Sequence, residues 1–267
     1  MRAAVLGRPV SHSLSPLLHR AAYAALGLTD WTYDALDIGA EELADLLAGL
    51  GPEWRGFSVT MPNKQAAVEV ADEVEALPAL LRAANTLVRT GTGWRAENTD
   101  VAGIGMALQL AGVGSAPRAA LVGAGGTAAA AAVALASLGA REVDVVVRNP
   151  GRAGDVVRVL EALGVTPTVV PLDGARVTAP VVVSTVPVDG QPAAAALDWQ
   201  AGQTVLDVLY SPWPTPLADR VTAAGGTVVS GLEVLFWQAT EQVELMTGEQ
   251  APIGAMRAAL DAALAGR

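Results

Sequence analysis

The 267-residue chain is long enough for one large domain or two ordinary ones, and its 52% hydrophobic and 16% charged residues argue against disorder. A net charge of −10 favours solubility and disfavours general binding to nucleic acid or anionic membranes, while leaving room for an anionic small molecule held by a few cations. The absence of cysteine excludes disulfides, thiol catalysis and thiolate metal sites, and two histidines make a His-rich metal site a poor expectation. The N-terminal run Met1-Arg2-Ala3-Ala4-Val5-Leu6-Gly7-Arg8 is too short in apolar residues for a signal peptide, so a cytoplasmic protein is expected.

Strand and helix signals alternate along the chain, as in α/β folds with parallel sheets. Residues 3–7 read as a strand. Ser15-Pro16 then opens a helix to about residue 26, with Ser15 as N-cap, Pro16 at the first helical position and Gly27 as the stop. Residues 57–60 form a strand, and Pro62 starts the next helix. Strands at 87–89 and 93–96 flank a tight Thr90-Gly91-Thr92 turn, and Asn98-Thr99-Asp100 caps a helix running towards Leu110. Beyond it come a strand at 119–122, a helix at 127–138 and a strand at 143–147, then strands at 181–184, 205–208 and 228–229. Helices at 234–246 and 253–264 complete the chain. The uncharged stretch between Arg118 and Arg141 is long enough for a membrane span, but Gly123, Gly125, Gly126 and Gly139 make strand, glycine turn and alanine-rich helix the better reading. A boundary between two units is expected near residues 100–102, inside a helix.

The segment Gly123-Ala124-Gly125-Gly126-Thr127-Ala128 lies between a strand and a helix. Glycines there allow a tight turn and close backbone approach to a pyrophosphate, whose charge meets the helix N-terminus. The next strand ends in Val147-Arg148-Asn149-Pro150-Gly151-Arg152. Where NAD-binding folds place an acidic residue for the ribose hydroxyl, this chain has arginine, with a second four positions on; two guanidinium groups suit the 2′-phosphate of NADP.

Four further segments hold most of the remaining reactive polar groups: Ser11-His12-Ser13-Leu14-Ser15-Pro16, Ser58-Val59-Thr60-Met61-Pro62-Asn63-Lys64, Asn85-Thr86 and Asn98-Thr99-Asp100. Taken singly, each has a bland explanation as a helix cap or solvated surface group. In order along the chain, and joined by Asp207-Val208-Leu209-Tyr210-Ser211-Pro212, Thr215-Pro216-Leu217 and Gly231-Leu232-Glu233-Val234-Leu235 through Gln238, they resemble the shikimate dehydrogenase family. The resemblance covers essentially the whole chain. It implies an α/β substrate domain at residues 1–100, a Rossmann-like doubly wound parallel-sheet NADP domain at 101–236, and C-terminal helices at 237–267 returning to the substrate domain.

Residue by residue, the resemblance implies that Ser13 and Ser15 hold a substrate carboxylate. Thr60, Asn85, Asp100 and Gln238 bind ring hydroxyls, and Tyr210 lines the junction of substrate and nicotinamide. Lys64 and Asp100 form the catalytic pair. Gly123, Ala124, Gly125, Gly126, Thr127, Arg148, Asn149 and Arg152 are expected to bind the cofactor, with Thr185, Val208 and Gly231 along its cleft. Ser58 stands where asparagine is common, Arg20 where asparagine is usual and Val234 where methionine is frequent; these departures bear on substrate preference more than on the reaction.

The implied activity is reversible NADPH-dependent reduction of 3-dehydroshikimate to shikimate, a step of aromatic amino acid biosynthesis. The proton passes through Lys64, and closure of the cleft between domains accompanies binding. A sister enzyme oxidising quinate or an amino analogue of shikimate, with NAD, is the nearer alternative. A non-catalytic ligand sensor is the other, and it should lack the Lys64–Asp100 pair. The choice between monomer and homodimer stays open.

Overall fold

The computed structural model describes residues 1–265. In chain order the elements are β1 (Arg2–Gly7), α1 (Ser15–Ala25), β2 (Thr32–Asp37), α2 (Leu43–Ala48), β3 (Trp54–Val59), α3 (Lys64–Val70), β4 (Glu73–Val74), α4 (Ala76–Leu81), β5 (Thr86–Arg89) and β6 (Trp94–Glu97). They continue as α5 (Asp100–Leu110), β7 (Arg118–Val122), α6 (Gly126–Ser137), β8 (Glu142–Val147), α7 (Gly154–Ala162), β9 (Thr166–Pro171), β10 (Val181–Ser184) and α8 (Gln191–Ala195). Last come β11 (Thr204–Asp207), α9 (Pro216–Ala223), β12 (Thr227–Ser230), α10 (Gly231–Thr247) and α11 (Ile253–Ala265). The chain divides into two compact units: residues 1–99 with the chain from Gln238 onward, and Asp100 to Trp237.

The first unit holds a mixed six-stranded sheet in the order β2-β1-β3-β5-β6-β4. β1 runs parallel to β2 and β3, while β5 and β6 form an antiparallel hairpin added to β3. Ala3 to Leu6 of β1 are buried, as a strand between two others requires. On one face Phe57 stacks on Trp54 at 5.0 Å and meets Trp94 at 5.2 Å, among Leu6, Leu43 and Leu87. α1 packs against α11, so the end of the chain completes the unit that its beginning starts.

The second unit holds six parallel strands in the order β12-β11-β10-β7-β8-β9. Counted from β7, this is the 3-2-1-4-5-6 arrangement of dinucleotide-binding folds, whose order reverses between β7 and β10. The central strands are unbroken apolar runs, buried on both faces. The alanines at 128–132 of α6 are all buried, because small side chains let a helix settle close to its neighbours. α7 is amphipathic instead: Val156, Val159 and Leu160 face inward at helical spacing.

Several local expectations are corrected. Ser15 is not the N-cap of α1 but its buried first residue; Leu14 holds the cap position, and the Ser15 N–H donates to Ser13 Oγ at 3.2 Å. The hydroxyl two positions back closes a short serine turn ahead of the helix. Pro62 does not begin a helix either, since α3 starts at Lys64 after a turn. β2 and β9, not anticipated from the sequence, are edge strands; β9 carries prolines at 167 and 171, which an edge tolerates because it has one ladder to serve.

Candidate active site

In the first unit, parallel β1 and β3 release their chains at the same sheet edge. The two exits are tied together, as Thr60 N–H donates to the Leu6 carbonyl at 2.9 Å and Arg8 N–H to the Met61 carbonyl at 3.0 Å. Thr60 is thereby held against the end of β1, from which the chain leads into Ser13, Ser15 and α1. Lys64, half-buried, opens α3 one turn further on. Its carbonyl accepts from the Ala84 N–H at 2.8 Å, which sets Asn85 beside the start of that helix. Thr60, Lys64 and Asn85 are thus gathered by main-chain bonds. Buried Asn63 donates through Nδ2 to the Ile38 carbonyl at 3.1 Å, anchoring the turn before Lys64.

Asn85 sits in a buried polar network. Its Oδ1 accepts from the Thr99 N–H at 2.8 Å and from Thr86 Oγ1 at 2.9 Å, while its Nδ2 reaches Thr99 Oγ1 at 2.9 Å and Gln238 Oε1 at 3.3 Å. One turn along α10 from Gln238, Gln242 donates to the Asn85 carbonyl at 3.1 Å and to Thr86 Oγ1 at 2.9 Å, and accepts from Ser58 Oγ at 2.6 Å. Tyr33 Oη donates in turn to Ser58 Oγ at 2.5 Å. Burial drives the Tyr33 phenol far above its ordinary range and holds the His19 imidazole, stacked on that ring at 4.0 Å, down to about 3. Both rings are neutral at physiological pH. Arg20, which departs from the family pattern, donates to the Tyr33 carbonyl at 2.9 Å and so fastens β2 to α1.

In the second unit, Gly123 ends β7 at a φ of +112°, and a side-chain carbon there would stand 2.4 Å from Thr185 Oγ1. Thr185, leaving β10, donates its N–H to the Val122 carbonyl at 2.8 Å. Gly123 and Thr185 therefore face each other at the point where strand order reverses, where open α/β sheets bind their ligands. Ala124 and Gly125 complete the turn, and Gly126 and Thr127 open α6. At the end of β8, Arg148, Asn149 and Arg152 are exposed; Asn149 Oδ1 accepts from the Gly151 N–H at 3.0 Å and shapes the turn carrying both arginines. A glycine cradle that a Cβ would fill and two solvent-facing guanidinium groups after the second strand suit a dinucleotide with a 2′-phosphate.

β11 ends in buried Asp207, whose carboxylate accepts from Thr215 Oγ1 at 2.7 Å and Gln191 Nε2 at 3.1 Å, and from the Leu209 N–H at 3.3 Å. Burial pushes this carboxyl up, and the three donors pull it back. They pin the loop that carries Val208 and half-buried Tyr210. Gly231 packs so tightly that an added Cβ would lie 2.0 Å from the Val208 carbonyl oxygen. Asp100 is the first residue of α5 and is buried.

Thr86 stood in one of the reactive polar segments without a role of its own, while Tyr33 and Gln242 lay outside those segments. The one available signal was Gln242 standing four positions after Gln238, on the same helical face. Among the described residues no group of His, Asp or Glu is placed to hold a metal ion, and no helix is long and apolar enough to cross a membrane.

Fold and site together define a two-unit α/β protein with a dinucleotide-binding second unit and a polar, amide-rich site in the first. A family model for the shikimate dehydrogenase substrate binding domain matches residues 5–87, and one for the shikimate 5′-dehydrogenase C-terminal domain matches residues 231–260. A shikimate dehydrogenase (NADP(+)) of Moorella thermoacetica is 36% identical, over 95% of this chain and 90% of its own. The crystal structure of Mycobacterium tuberculosis shikimate dehydrogenase is 48% identical with a TM-score of 0.88, covering 98% of this chain and 99% of that one. The Thermus thermophilus shikimate 5-dehydrogenase in complex with NADP(H) and shikimate is 33% identical, with a TM-score of 0.86 over 98% and 99% of the two chains. The chain belongs to the shikimate dehydrogenase family.

Proposed function

We propose that the protein is an NADP-dependent shikimate dehydrogenase, reducing 3-dehydroshikimate to shikimate and running the reverse oxidation. One observation supports the reading: in a chain matched over 95% of its length by a family member, Lys64 and Asp100, which the resemblance makes the catalytic pair, each stand at the first position of a helix. A sensor that had lost the chemistry would have no need of the pair.

When bound, NADPH supplies the hydride. Gly123 to Thr127 hold its pyrophosphate, Arg148 and Arg152 its 2′-phosphate, and Asn149 keeps the arginine turn in shape; Thr185, Val208 and Gly231 border it. Ser13 and Ser15 bind the substrate carboxylate, and Thr60, Asn85, Asp100 and Gln238 the ring oxygens, with Tyr210 bordering the ring. Lys64 gives a proton to the oxygen of the reduced carbonyl and takes it back in the oxidation, while Asp100 orients both the lysine and the adjacent hydroxyl. The expected location is the cytoplasm, to be checked by fractionation.

The test is oxidation of shikimate by NADP, set beside quinate and NAD. Shikimate with NADP should give the highest kcat/KM by at least an order of magnitude. A preference for quinate or for NAD would move the protein to a sister activity. In Arg148→Ala the KM for NADP should rise by roughly tenfold, the scale of one charge-assisted hydrogen bond, with that for NAD little changed. An unaltered NADP KM would remove the arginine from the cofactor site.

A further inference from the structure

We propose that Thr86 and Gln242 are positioning residues that, together with the Thr99 main chain, hold Asn85 and Gln238 in one hydrogen-bond polarity, so that Gln238 meets its ligand oxygen as a donor. The inference rests on the reading above that Asn85 and Gln238 touch the substrate. It adds two residues that are hydrogen-bonded to Asn85.

The argument turns on main-chain groups, which have only one polarity: an N–H donates and a carbonyl accepts. Asn85 Oδ1 faces the Thr99 N–H, so the orientation of the Asn85 amide is settled. Gln242 Nε2 faces the Asn85 carbonyl, which settles the second amide. Between these two lies the Thr86 hydroxyl, 2.9 Å from Gln242 Nε2 and 2.9 Å from Asn85 Oδ1. It has a single proton. Accepting from Gln242, it must donate to Asn85. Upstream, Gln242 Oε1 can only accept, so Ser58 donates to it and itself accepts from Tyr33. Downstream, Asn85 Nδ2 donates to Gln238 Oε1, and the other arm of that planar amide is the nitrogen.

The chain Tyr33, Ser58, Gln242, Thr86, Asn85, Gln238 therefore runs donor to acceptor in one direction. All six side chains are buried, Gln238 the least so at 8% exposure. Away from water each link is strong and an unmade one is costly, so the order at one end is transmitted to the other.

The experiment is steady-state kinetics of Thr86→Val, Thr86→Ser, Gln242→Met and the Thr86→Val/Gln242→Met double variant, with Gln238→Ala alongside. Thr86→Val should raise the KM for shikimate by about tenfold, as expected for one disordered polar contact, while the KM for NADP holds. Thr86→Ser keeps the hydroxyl and should restore the wild-type value. Gln242→Met should resemble Thr86→Val, and the double variant should be no worse than the poorer single one. The two Thr86 variants, which change least volume, carry the test should Gln242→Met not fold. Wild-type KM in Thr86→Val, with Gln238→Ala still impaired, would overturn the positioning role alone, as would a Thr86→Ser variant as poor as Thr86→Val. An unaltered shikimate KM in Gln238→Ala would overturn the substrate contact itself, and the inference with it.

Discussion

Lys64 is anchored through its main chain, whose carbonyl accepts from the Ala84 N–H, and the role proposed for it is proton transfer. Lys64→Ala should cut turnover by about 10²–10⁴-fold, the usual worth of a general acid–base group, with NADP affinity retained. Lys64→Arg should not recover it, because a guanidinium stays protonated and cannot take the proton in shikimate oxidation. Steady-state oxidation at several pH values checks both, and near-wild-type turnover in Lys64→Ala would require another proton carrier. His19 makes a separate prediction about stability. Its folded value of about 3 lies below the ordinary 6.5, so the unfolded chain takes up a proton that the folded chain refuses. The contribution is fully present above about pH 6.5 and is lost as pH falls towards 3, with a slope of at most about 1.4 kcal/mol per pH unit. Buried Asp207 and half-buried Glu97 and Glu241, whose carboxyls are all pushed up by desolvation, act in the opposite sense. They are shared by wild type and His19→Phe, so urea midpoints of the two proteins from pH 7 to 4 isolate the histidine. Parallel curves would mean that the imidazole protonates in the folded state.

Among the elements, the entry to α1 shows where local sequence signals mislead. A serine followed by proline reads as N-cap and first helical residue, yet the hydroxyl that meets the helix entry belongs to Ser13, one position before the cap, since Ser15 is drawn into the helix and buried. Ser13→Ala should therefore lower stability, by roughly 0.5–2 kcal/mol as other helix-entry hydroxyls do, besides weakening shikimate binding. The check is the melting temperature of the two alanine variants: a drop in Ser15→Ala alone would return the cap to Ser15. Strong signals fared better. The central strands β7, β8 and β10 are largely apolar, broken within the expected spans by Asp144 in β8, and all three fall within one residue of those spans. The edge strands β2 and β9 escaped notice because an edge accepts polar residues and proline, which blur the pattern.

At the level of the molecule, each sheet packs a hydrophobic core of its own, one around Phe57 and one around Val122, Val182 and Val205. Removing the fully buried Phe57 side chain should cost about 3–5 kcal/mol, borne by the first unit. Calorimetry of Phe57→Ala should show one transition lowered and another that keeps its temperature and its response to NADP. A single transition that moves as a whole would mean that the units unfold together. By itself the sequence determined the alternation of strand and helix, the glycine turn, the paired arginines and the ordered polar segments, because each is a local pattern written within a few residues. Tertiary structure alone decided the strand order that sets Gly123 against Thr185. It also decided the meeting of Gln242 with Ser58 and Asn85, 184 and 157 positions away. The physical reason is that a buried hydroxyl or amide takes its polarity from whatever group the fold brings within 3 Å, and no periodicity in the chain records that partner.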